Sequence, residues 1–324
     1  MPRPQPRVSI VIPVYNGANF LREAIDSALA QTYGDLEVLV VNDGSTDGGA
    51  TDAIAQSYGT RVRYLVQANG GVAAALNAGI RAMTGEYFSW LSHDDLYFPG
   101  KVAEQVARLG RAPESAVLFS DYQFIDETGK PLGVKRFRGR ASAMRVELLT
   151  GDPINGCTVL APRRCLEAIG LFDVALRTIQ DYDMWFRMAA RFPFVHVPEV
   201  LVLSRLHSEQ GIRTIPTHYA ETVRTLSRFV QELSVEEIRL VHRGPISLFY
   251  AHLALRLKLR GFDEAARTAL AVGRRAADGD GGGAGLRFAL EAAACSLLTR
   301  KVKPGYWISR LRSARGGRST GAGG

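Results

Sequence analysis

The sequence predicts an α/β protein with a mostly parallel central sheet, helices on both of its faces, and a helical region at the C-terminal end. Short β-branched runs alternate with helix-length segments through the first part of the chain. This alternation is typical of a parallel sheet that is covered on both faces. Beyond residue 215, the apolar residues show helical spacing.

The strands are predicted from apolar runs that turn residues interrupt. The first run, Val8–Tyr15, is rich in Val and Ile, as expected of a strand buried on both faces. Asn19 and either Thr46 or Asp47 are candidate caps for the next helices. The predicted strands are 8–15, 36–41, 61–66, 87–91, 116–120, 155–160 and a segment within 194–203, and the predicted helices include 72–83, 163–169 and one that begins near 180. Residues 132–150 are predicted to form a basic, irregular loop, with closure over a ligand as one role and a plain surface loop as the other.

Composition and cysteine spacing bound the class of protein. With 46% hydrophobic and 22% charged residues among 324, the chain resembles ordinary globular proteins. No apolar run reaches the ~20 residues that a membrane-spanning helix needs, and the N-terminus shows no apolar signal segment. The cysteines Cys157, Cys165 and Cys295 form no metal-type spacing, which indicates a reducing compartment. We therefore expect a cytoplasmic protein.

The positive charge is concentrated in the C-terminal third. Of the net charge of +8, residues 1–215 contribute −1 and residues 216–324 contribute +9, and no acidic residue follows Glu291. Residues 216–299 are predicted to be helical, interrupted by a flexible linker at 278–285 and ending in a short helix at 286–299. One helix would bury Ile246, Phe249, Leu253 and Leu257, and the next Phe262, Ala265, Ala266, Ala269 and Leu270. The predicted domains are 1–215, 216–299 and a basic, flexible tail at 300–324.

The basic tail has two interpretations. Arg and Lys residues interleave with Tyr306 and Trp307, which fits peripheral contact with an anionic membrane or a lipid diphosphate at the inner face of the membrane. A solvated, disordered tail explains the same charge. Nucleic acid is not an expected partner, because no nucleic-acid-binding motif accompanies the charge.

Three strands of the predicted sheet end in residues suited to ligand binding. Tyr15, Asp43 and Asp94 follow the first, second and fourth strands. Because the carboxyl ends of parallel strands share one edge, we expect these side chains to lie together there. The adjacent Asp94 and Asp95 repel each other, so a shared cation is expected, although the pair could instead cap the next helix.

Two common phosphate-binding motifs are missing from the chain. The first strand ends in Pro13 and Tyr15 rather than in GxGxxG, which disfavours a dinucleotide-dependent dehydrogenase. The pattern GxxxxGK[ST] is also absent, which disfavours an ordinary P-loop. Phosphate charge would therefore be met by a metal ion or by side chains.

Six segments carry a family resemblance, and they occur in order across about residues 8–210. They are Val8–Gly17, Val41–Asp47, Asn69–Ile80, Gly85–Tyr97, Gln180–Arg187 and Arg205–His207. In sequence, order and spacing they resemble family 2 glycosyltransferases. The resemblance implies a GT-A fold, in which a Rossmann-like nucleotide-binding half and an acceptor half share one sheet. It also implies inverting transfer of a sugar from a nucleotide-sugar to an acceptor hydroxyl.

The resemblance implies roles for individual residues. Tyr15 would stack on the nucleobase, Asp43 would accept a hydrogen bond from its imide N–H, and Asp181 would be the catalytic base. The expected contacts to the nucleotide-sugar are Pro13, Tyr15, Asp43, Asn69, Asn77, His93 and Asp94.

The implied cofactor is a divalent metal, Mg²⁺ or Mn²⁺, with Asp94, Asp95 and His207 as candidate ligands. The chain departs from the family pattern at two positions. Ser92 replaces the first Asp of the Asp-x-Asp motif, and Gln180 replaces the Glu of the Glu-Asp motif. The first change leaves one carboxylate, the diphosphate oxygens, water and His207 to complete the metal shell.

The resulting prediction is a metal-dependent inverting glycosyltransferase that moves a sugar from a UDP- or dTDP-type donor to a hydroxyl of a glycan or lipid-linked acceptor. We expect it to act in cell-surface or extracellular polysaccharide biosynthesis. The alternatives are a sugar-nucleotide nucleotidyltransferase, which would need a basic loop after the first strand, and a non-catalytic nucleotide- or carbohydrate-binding protein. Purely structural roles also fit Tyr15 in the core, Asp43 in a turn, Asp181 as a helix cap and His207 facing solvent.

Overall fold

The first four strands of the chain form the parallel half of one sheet. The computed structural model describes residues 5–151, 153–210, 214–277 and 282–297. Strands β1 (Val8–Val14), β2 (Leu36–Asn42), β3 (Arg63–Val66) and β4 (Tyr87–Trp90) lie in the order β3-β2-β1-β4. Every residue of β1 is buried, which is why its sequence shows no polar face. The carboxyl ends of these strands share one edge, as predicted.

The other half makes the nine-stranded sheet mixed. It contains β5 (Leu96–Tyr97), β6 (Val117–Ile125), β7 (Pro131–Lys135), β8 (Leu160–Pro162) and β9 (Phe194–Arg205). Strand β8 runs antiparallel to β4 and β6, whereas β9 runs parallel to β6. Leu96 of β5 pairs antiparallel with Leu203 near the end of β9. The loop before β5 therefore lies beside the residues that follow β9.

The helices between the strands and just after β9 mostly lie close to where the sequence predicts them. They are α1 (Leu21–Leu29), α2 (Ala50–Gln56), α3 (Val72–Ala82), α4 (Lys101–Leu109), α5 (Met144–Thr150), α6 (Arg163–Ile169), α7 (Gln180–Ala189) and α8 (His218–Glu232). Asp47 accepts a hydrogen bond from the Thr51 N–H at 3.1 Å in the first turn of α2. Asn19 does not cap α1, because its amide donates to Glu209 instead.

Two further predictions of local structure are wrong. The stretch 132–150 is not wholly irregular, because Pro131–Lys135 pairs with β6 and Met144–Thr150 forms α5. The stretch 155–160 is not a strand at its start. There the Asn155 side chain accepts a hydrogen bond from the Cys157 N–H at 2.8 Å, which supports a short 3₁₀ turn before β8.

The chain forms two compact units, one ending at Thr225 and the other beginning at Leu226. The second contains α9 (Val235–Arg239), α10 (Ile246–Leu259), α11 (Asp263–Ala277) and α12 (Gly282–Leu297). Each predicted apolar face is buried or half-buried, and Leu248, Ala251 and Phe288 form a core cluster. The last helix begins at Gly282, earlier than predicted. Part of the predicted linker and all of the predicted tail lie outside the described residues, and the three predicted domains remain a prediction.

Within the described residues, no helix combines the length and apolar character that crossing a membrane requires.

Candidate active site

Asp43 binds the backbone of a glycine-rich turn, Asn69–Gly71, at the carboxyl edge of the sheet. Its carboxylate is buried and accepts hydrogen bonds from Gln67 Nε2 at 2.7 Å, from the Gly70 N–H at 2.9 Å and from the Gly71 N–H at 2.7 Å. This turn leads directly into α3. A carboxylate has about four acceptor positions, so roughly one remains for a ligand after these three bonds.

The loops after β1 and β2 are tied together beside this turn. The Asn16 N–H donates to Ser45 Oγ at 2.9 Å, and Asn16 Oδ1 accepts from the Thr46 N–H at 2.7 Å. Asn16 has a φ of 49°, which asparagine tolerates better than most residues. Tyr15 immediately before it is 45% exposed, so its ring is available to a ligand rather than packed in the core.

Three other predicted nucleotide contacts have different environments. Pro13 is buried in β1 opposite Val41. Asn69 is exposed in the glycine-rich turn. Asn77 is buried, and its amide pairs with the backbone of Phe172 by bonds of 2.8 and 3.0 Å. We therefore revise the role of Asn77 from a nucleotide contact to a residue that fixes the position of Phe172.

Asp94 and His207 form an ion pair at the end of β4. Asp94 Oδ2 lies 2.8 Å from His207 Nε2, and the two side chains are 13% and 7% exposed. Burial works to raise the pKa of Asp94, but the hydrogen bond from His207 and the charges of His93 and His207 hold it below its ordinary value. The hydrogen bond to Asp94 raises the pKa of His207 in turn. The two shifts act in the same sense, because each favours the charged form of its own group.

Asp95 faces the interior, unlike its neighbour Asp94. Its carboxylate is 5% exposed, and Oδ1 accepts a hydrogen bond from the Arg205 N–H at 2.8 Å. Burial and the charge of Asp94 raise the pKa of Asp95 well above its ordinary range. Its burial and its bond to the Arg205 backbone leave Asp95 less accessible to a cation than Asp94, whose side chain is 13% exposed. We therefore revise Asp95 from a metal ligand to a support of the loop.

Arg205 fixes the loop Ser92–Asp95, hereafter the acidic loop, and the sequence did not reveal this role. Its side chain is 1% exposed and donates from Nε to the Asp94 carbonyl at 3.0 Å and from an Nη atom to Glu23 Oε2 at 2.7 Å. A second Nη atom donates to the Glu127 carbonyl at 2.9 Å, and the guanidinium lies over the Phe20 ring. Its place two residues before His207 was visible in the sequence, but its buried partners come from distant segments.

His93 directly precedes Asp94 and faces the loop after β1. A Cβ atom on Gly17 would come within 2.5 Å of His93 Cδ2, so the imidazole packs directly against the loop after β1. Burial lowers the pKa of His93, although the charge of Asp94 acts in the opposite direction.

Asp181 is the second residue of α7, which packs on the sheet through aromatic side chains. The Trp185 ring lies 6.0 Å from Phe172, and Phe172 lies 6.1 Å from Trp90, the last residue of β4. The Asp181 carboxylate is half-buried and accepts a hydrogen bond from the Tyr182 N–H at 2.8 Å. The helix that carries the predicted base is thus linked through Phe172 to the strand that leads to Asp94.

The donor atoms at the acidic loop fit a cation that is shared with a ligand. Asp94 and His207 supply one carboxylate and one imidazole, and no group of three or more metal-binding side chains occurs among the described residues. Mg²⁺ is commonly held by one or two carboxylates together with substrate phosphates and water. Asp94, joined by a deprotonated His207, would hold such an ion only together with a diphosphate.

Comparisons with known proteins identify the family of the chain. The family model described as glycosyl transferase family 2 matches residues 9–164. An uncharacterized glycosyltransferase of Rickettsia felis is 46% identical over 247 residues, which cover 74% of this chain and 41% of the relative. Another from Rickettsia prowazekii, RP339, is 41% identical over 272 residues, 82% of this chain and 85% of the relative. The chain thus spans about two fifths of the length of the first of these relatives.

Solved structures show the same fold. Staphylococcus aureus TarS 1–349 in complex with UDP-GlcNAc matches with a TM-score of 0.59 and 16% identity, covering 83% of this chain and 92% of that chain. The mannosyltransferase PcManGT of Pyrobaculum calidifontis, in complex with GDP-Man and Mn²⁺, matches with a TM-score of 0.53 and 22% identity, covering 96% and 85%. At these identities the likeness concerns architecture, which is the GT-A fold with a helical C-terminal region.

Proposed function

Because the chain belongs to glycosyltransferase family 2, we propose that it transfers a sugar from a nucleoside-diphosphate sugar to an acceptor hydroxyl with inversion at the anomeric carbon. The observation that carries this proposal is the Asp94–His207 pair beyond the carboxyl end of β4. The glycine-rich turn that Asp43 binds lies at the same edge of the sheet. Open α/β sheets bind their ligands at such an edge.

The donor we propose carries uracil or thymine. Asp43 retains about one acceptor position after its three hydrogen bonds, and an imide N–H of either base would fill it. The exposed Tyr15 ring would stack on the same base. Structural neighbours hold UDP-GlcNAc or GDP-Man, and the experiment below therefore compares uracil, thymine and guanine nucleotides.

In the proposed reaction, Asp181 takes the proton from the acceptor hydroxyl as that oxygen attacks the anomeric carbon. The bond from this carbon to the diphosphate oxygen breaks, and a nucleoside diphosphate leaves. A divalent cation held by Asp94 and His207 would neutralise the negative charge that grows on the leaving group. Inversion requires the base and the leaving group on opposite faces of the sugar, and a single displacement needs no covalent intermediate.

We further propose that the acceptor is a glycan or a lipid-linked sugar and that the reaction serves cell-surface or extracellular polysaccharide synthesis at the cytoplasmic face of the membrane. A chondroitin synthase of Pasteurella multocida, 30% identical over 230 residues, is a relative of this kind. It supports the class of acceptor only, because the matched region covers 23% of that protein.

A thermal-shift panel tests the donor-binding part of the proposal. UDP, dTDP and GDP are compared with and without Mn²⁺, and with uridine as the control that lacks a diphosphate. We expect UDP or dTDP to raise the melting temperature, with a larger rise when Mn²⁺ is present and little effect from uridine. A panel in which no nucleotide shifts the melting temperature would contradict the proposal.

A further inference from the structure

The glycine-rich turn that Asp43 organises is held from a second side by Arg177. An Nη atom of Arg177 donates to the Gly70 carbonyl at 3.1 Å, while Asp43 accepts from the Gly70 and Gly71 N–H groups. A Cβ atom on Gly71 would lie 3.1 Å from the same guanidinium, so the two groups are in close contact. The turn is thus clamped between a carboxylate and a guanidinium that come from different parts of the chain.

Arg177 is also close in sequence to the predicted base. It lies four residues before Asp181, in the segment that leads into α7. This segment therefore connects two parts of the proposed site, the glycine-rich turn and the helix that carries the proposed base. A displacement of the segment would disturb both.

Glu221 fixes this connecting segment. Its carboxylate, in the first turn of α8, is 5% exposed. One oxygen, Oε2, accepts hydrogen bonds from the Arg177 N–H at 3.0 Å, the Thr178 N–H at 3.1 Å and Thr178 Oγ1 at 3.1 Å. The other, Oε1, accepts from Thr217 Oγ1 at 3.0 Å. Burial alone would raise the pKa of Glu221, but these hydrogen bonds hold it below its ordinary value.

We propose that Glu221 is a positioning residue that acts on nucleotide binding through Arg177. Its carboxylate accepts hydrogen bonds from the N–H groups of Arg177 and Thr178 and so fixes the position of this backbone. From there the Arg177 side chain reaches the glycine-rich turn. The inference rests on the proposed function. It extends the site beyond residue 164, where the family-model match ends, and beyond the motifs of the sequence, which end at His207.

The expected effect follows from the hydrogen bonds that are lost. Without the Glu221 carboxylate, two backbone N–H groups lose their acceptor and the segment loosens, so Arg177 no longer holds the turn in its binding geometry. The loss of one or two such hydrogen bonds corresponds to about a tenfold weaker affinity for a nucleoside diphosphate. Replacement of Arg177 by Ala should produce a similar loss, because it removes the other end of the same connection.

A double-mutant cycle tests whether the two residues act together. The dissociation constant of UDP in the presence of Mn²⁺ is measured by calorimetry on the full chain for wild type, Glu221→Ala, Arg177→Ala and the double variant, and again with GDP. We expect each single variant to lose about tenfold and the double variant to lose little more than either. Glu221→Gln, which keeps one oxygen acceptor, should lose less than Glu221→Ala.

Glu37→Gln is the matched control. Glu37 is also a buried carboxylate that accepts from a hydroxyl and a backbone N–H, at Ser9 and Gly85, but it lies at the opposite edge of the sheet, at the start of β2. We expect it to lower the unfolding midpoint and to leave the affinity for UDP unchanged.

Two outcomes would overturn the inference: wild-type affinity in Glu221→Ala, or losses that multiply in the double variant. A wild-type protein that binds neither UDP nor GDP would instead contradict the proposed function, and the inference with it.

Discussion

His207 Nε2 lies 2.8 Å from Asp94 Oδ2, although 113 residues separate the two in sequence. Antiparallel pairing of β5 with the end of β9 brings them together. The pair places one carboxylate and one imidazole side by side at the acidic loop. Asp95 instead turns inward and binds the Arg205 backbone. The two adjacent aspartates therefore have different surroundings, and variants of each can test whether their roles differ.

Asp94→Asn should remove the effect of metal on nucleotide binding. The amide is a much weaker ligand for Mg²⁺ or Mn²⁺ than a carboxylate, so the extra rise in melting temperature that Mn²⁺ gives with UDP should disappear. Asp95→Asn is the control, because an amide resembles the protonated carboxyl that burial favours at this position. It should keep the extra rise. A Mn²⁺ effect of wild-type size in Asp94→Asn would contradict the assignment.

Asp181→Asn should keep nucleotide binding and lose transfer. The loss of a positioned base typically costs ~10²–10⁴ in rate, and the amide keeps the size of the side chain. Release of UDP from a donor in the presence of acceptor measures the rate, and calorimetry measures UDP affinity. Asp183→Asn on the same helix is the control. It breaks an ion pair with Arg187 at 2.7 Å and should lower stability while the folded enzyme stays active. Unchanged turnover in Asp181→Asn would refute the base assignment.

Gly44→Ala should weaken nucleotide binding, whereas Gly48→Ala, which has the same backbone strain, should not. Gly44 has a φ of +70°, and a Cβ atom there would lie 2.8 Å from the Asn69 backbone nitrogen. Gly48 has a nearly equal φ of +67° but no atom within 4 Å of its Cβ position. Both variants should lose about 1–2 kcal/mol of unfolding free energy from the left-handed conformation. Only Gly44→Ala should also displace the turn and weaken UDP binding, and equal affinities in the two variants would show that the contact is unimportant.

Lys101→Met should change how stability depends on pH. Lys101 is fully buried, with its ammonium beside Ser89 Oγ and 3.2 Å from the Val159 carbonyl. Burial lowers its pKa from 10.5 to about 7. Between these values the unfolded chain binds more protons than the folded one, so the contribution of Lys101 to the free energy of unfolding rises with pH across this window and is lowest below pH 7.

Urea unfolding of wild type and Lys101→Met at several values between pH 6.5 and 10 measures this contribution. The stability of wild type relative to the variant should increase with pH, by on the order of a few kcal/mol over the whole window. Methionine has a similar length and no proton to exchange, so the remaining titrations cancel in the comparison. A difference that does not vary with pH would show that Lys101 stays charged in the folded protein.

The parallel half of the sheet could be predicted because its signals are local. The Val- and Ile-rich run of β1 is buried along its whole length, and the amphipathic spacing of α3 and α7 places both helices within one or two residues. Strand β7 was missed because Pro131–Lys135 is short and only its pairing with β6 makes it a strand. The turn at Asn155 was missed because a side-chain hydrogen bond, rather than the apolar pattern, decides the conformation there.

The sequence by itself determined the chemistry that is available at the sheet edge. Because the carboxyl ends of parallel strands meet, it was sufficient to read which residues follow each strand to place Tyr15, Asp43 and Asp94 at one edge. Only the tertiary structure decided the state of each group. Asp95 and Asn77 are turned to buried backbone partners, and the supports of the site, Arg205 and Glu221, act on segments 111 and 44 residues away. The reason is physical: burial and hydrogen-bond partners set the charge and orientation of a polar side chain, and strand pairing and helix packing bring those partners from distant parts of the chain.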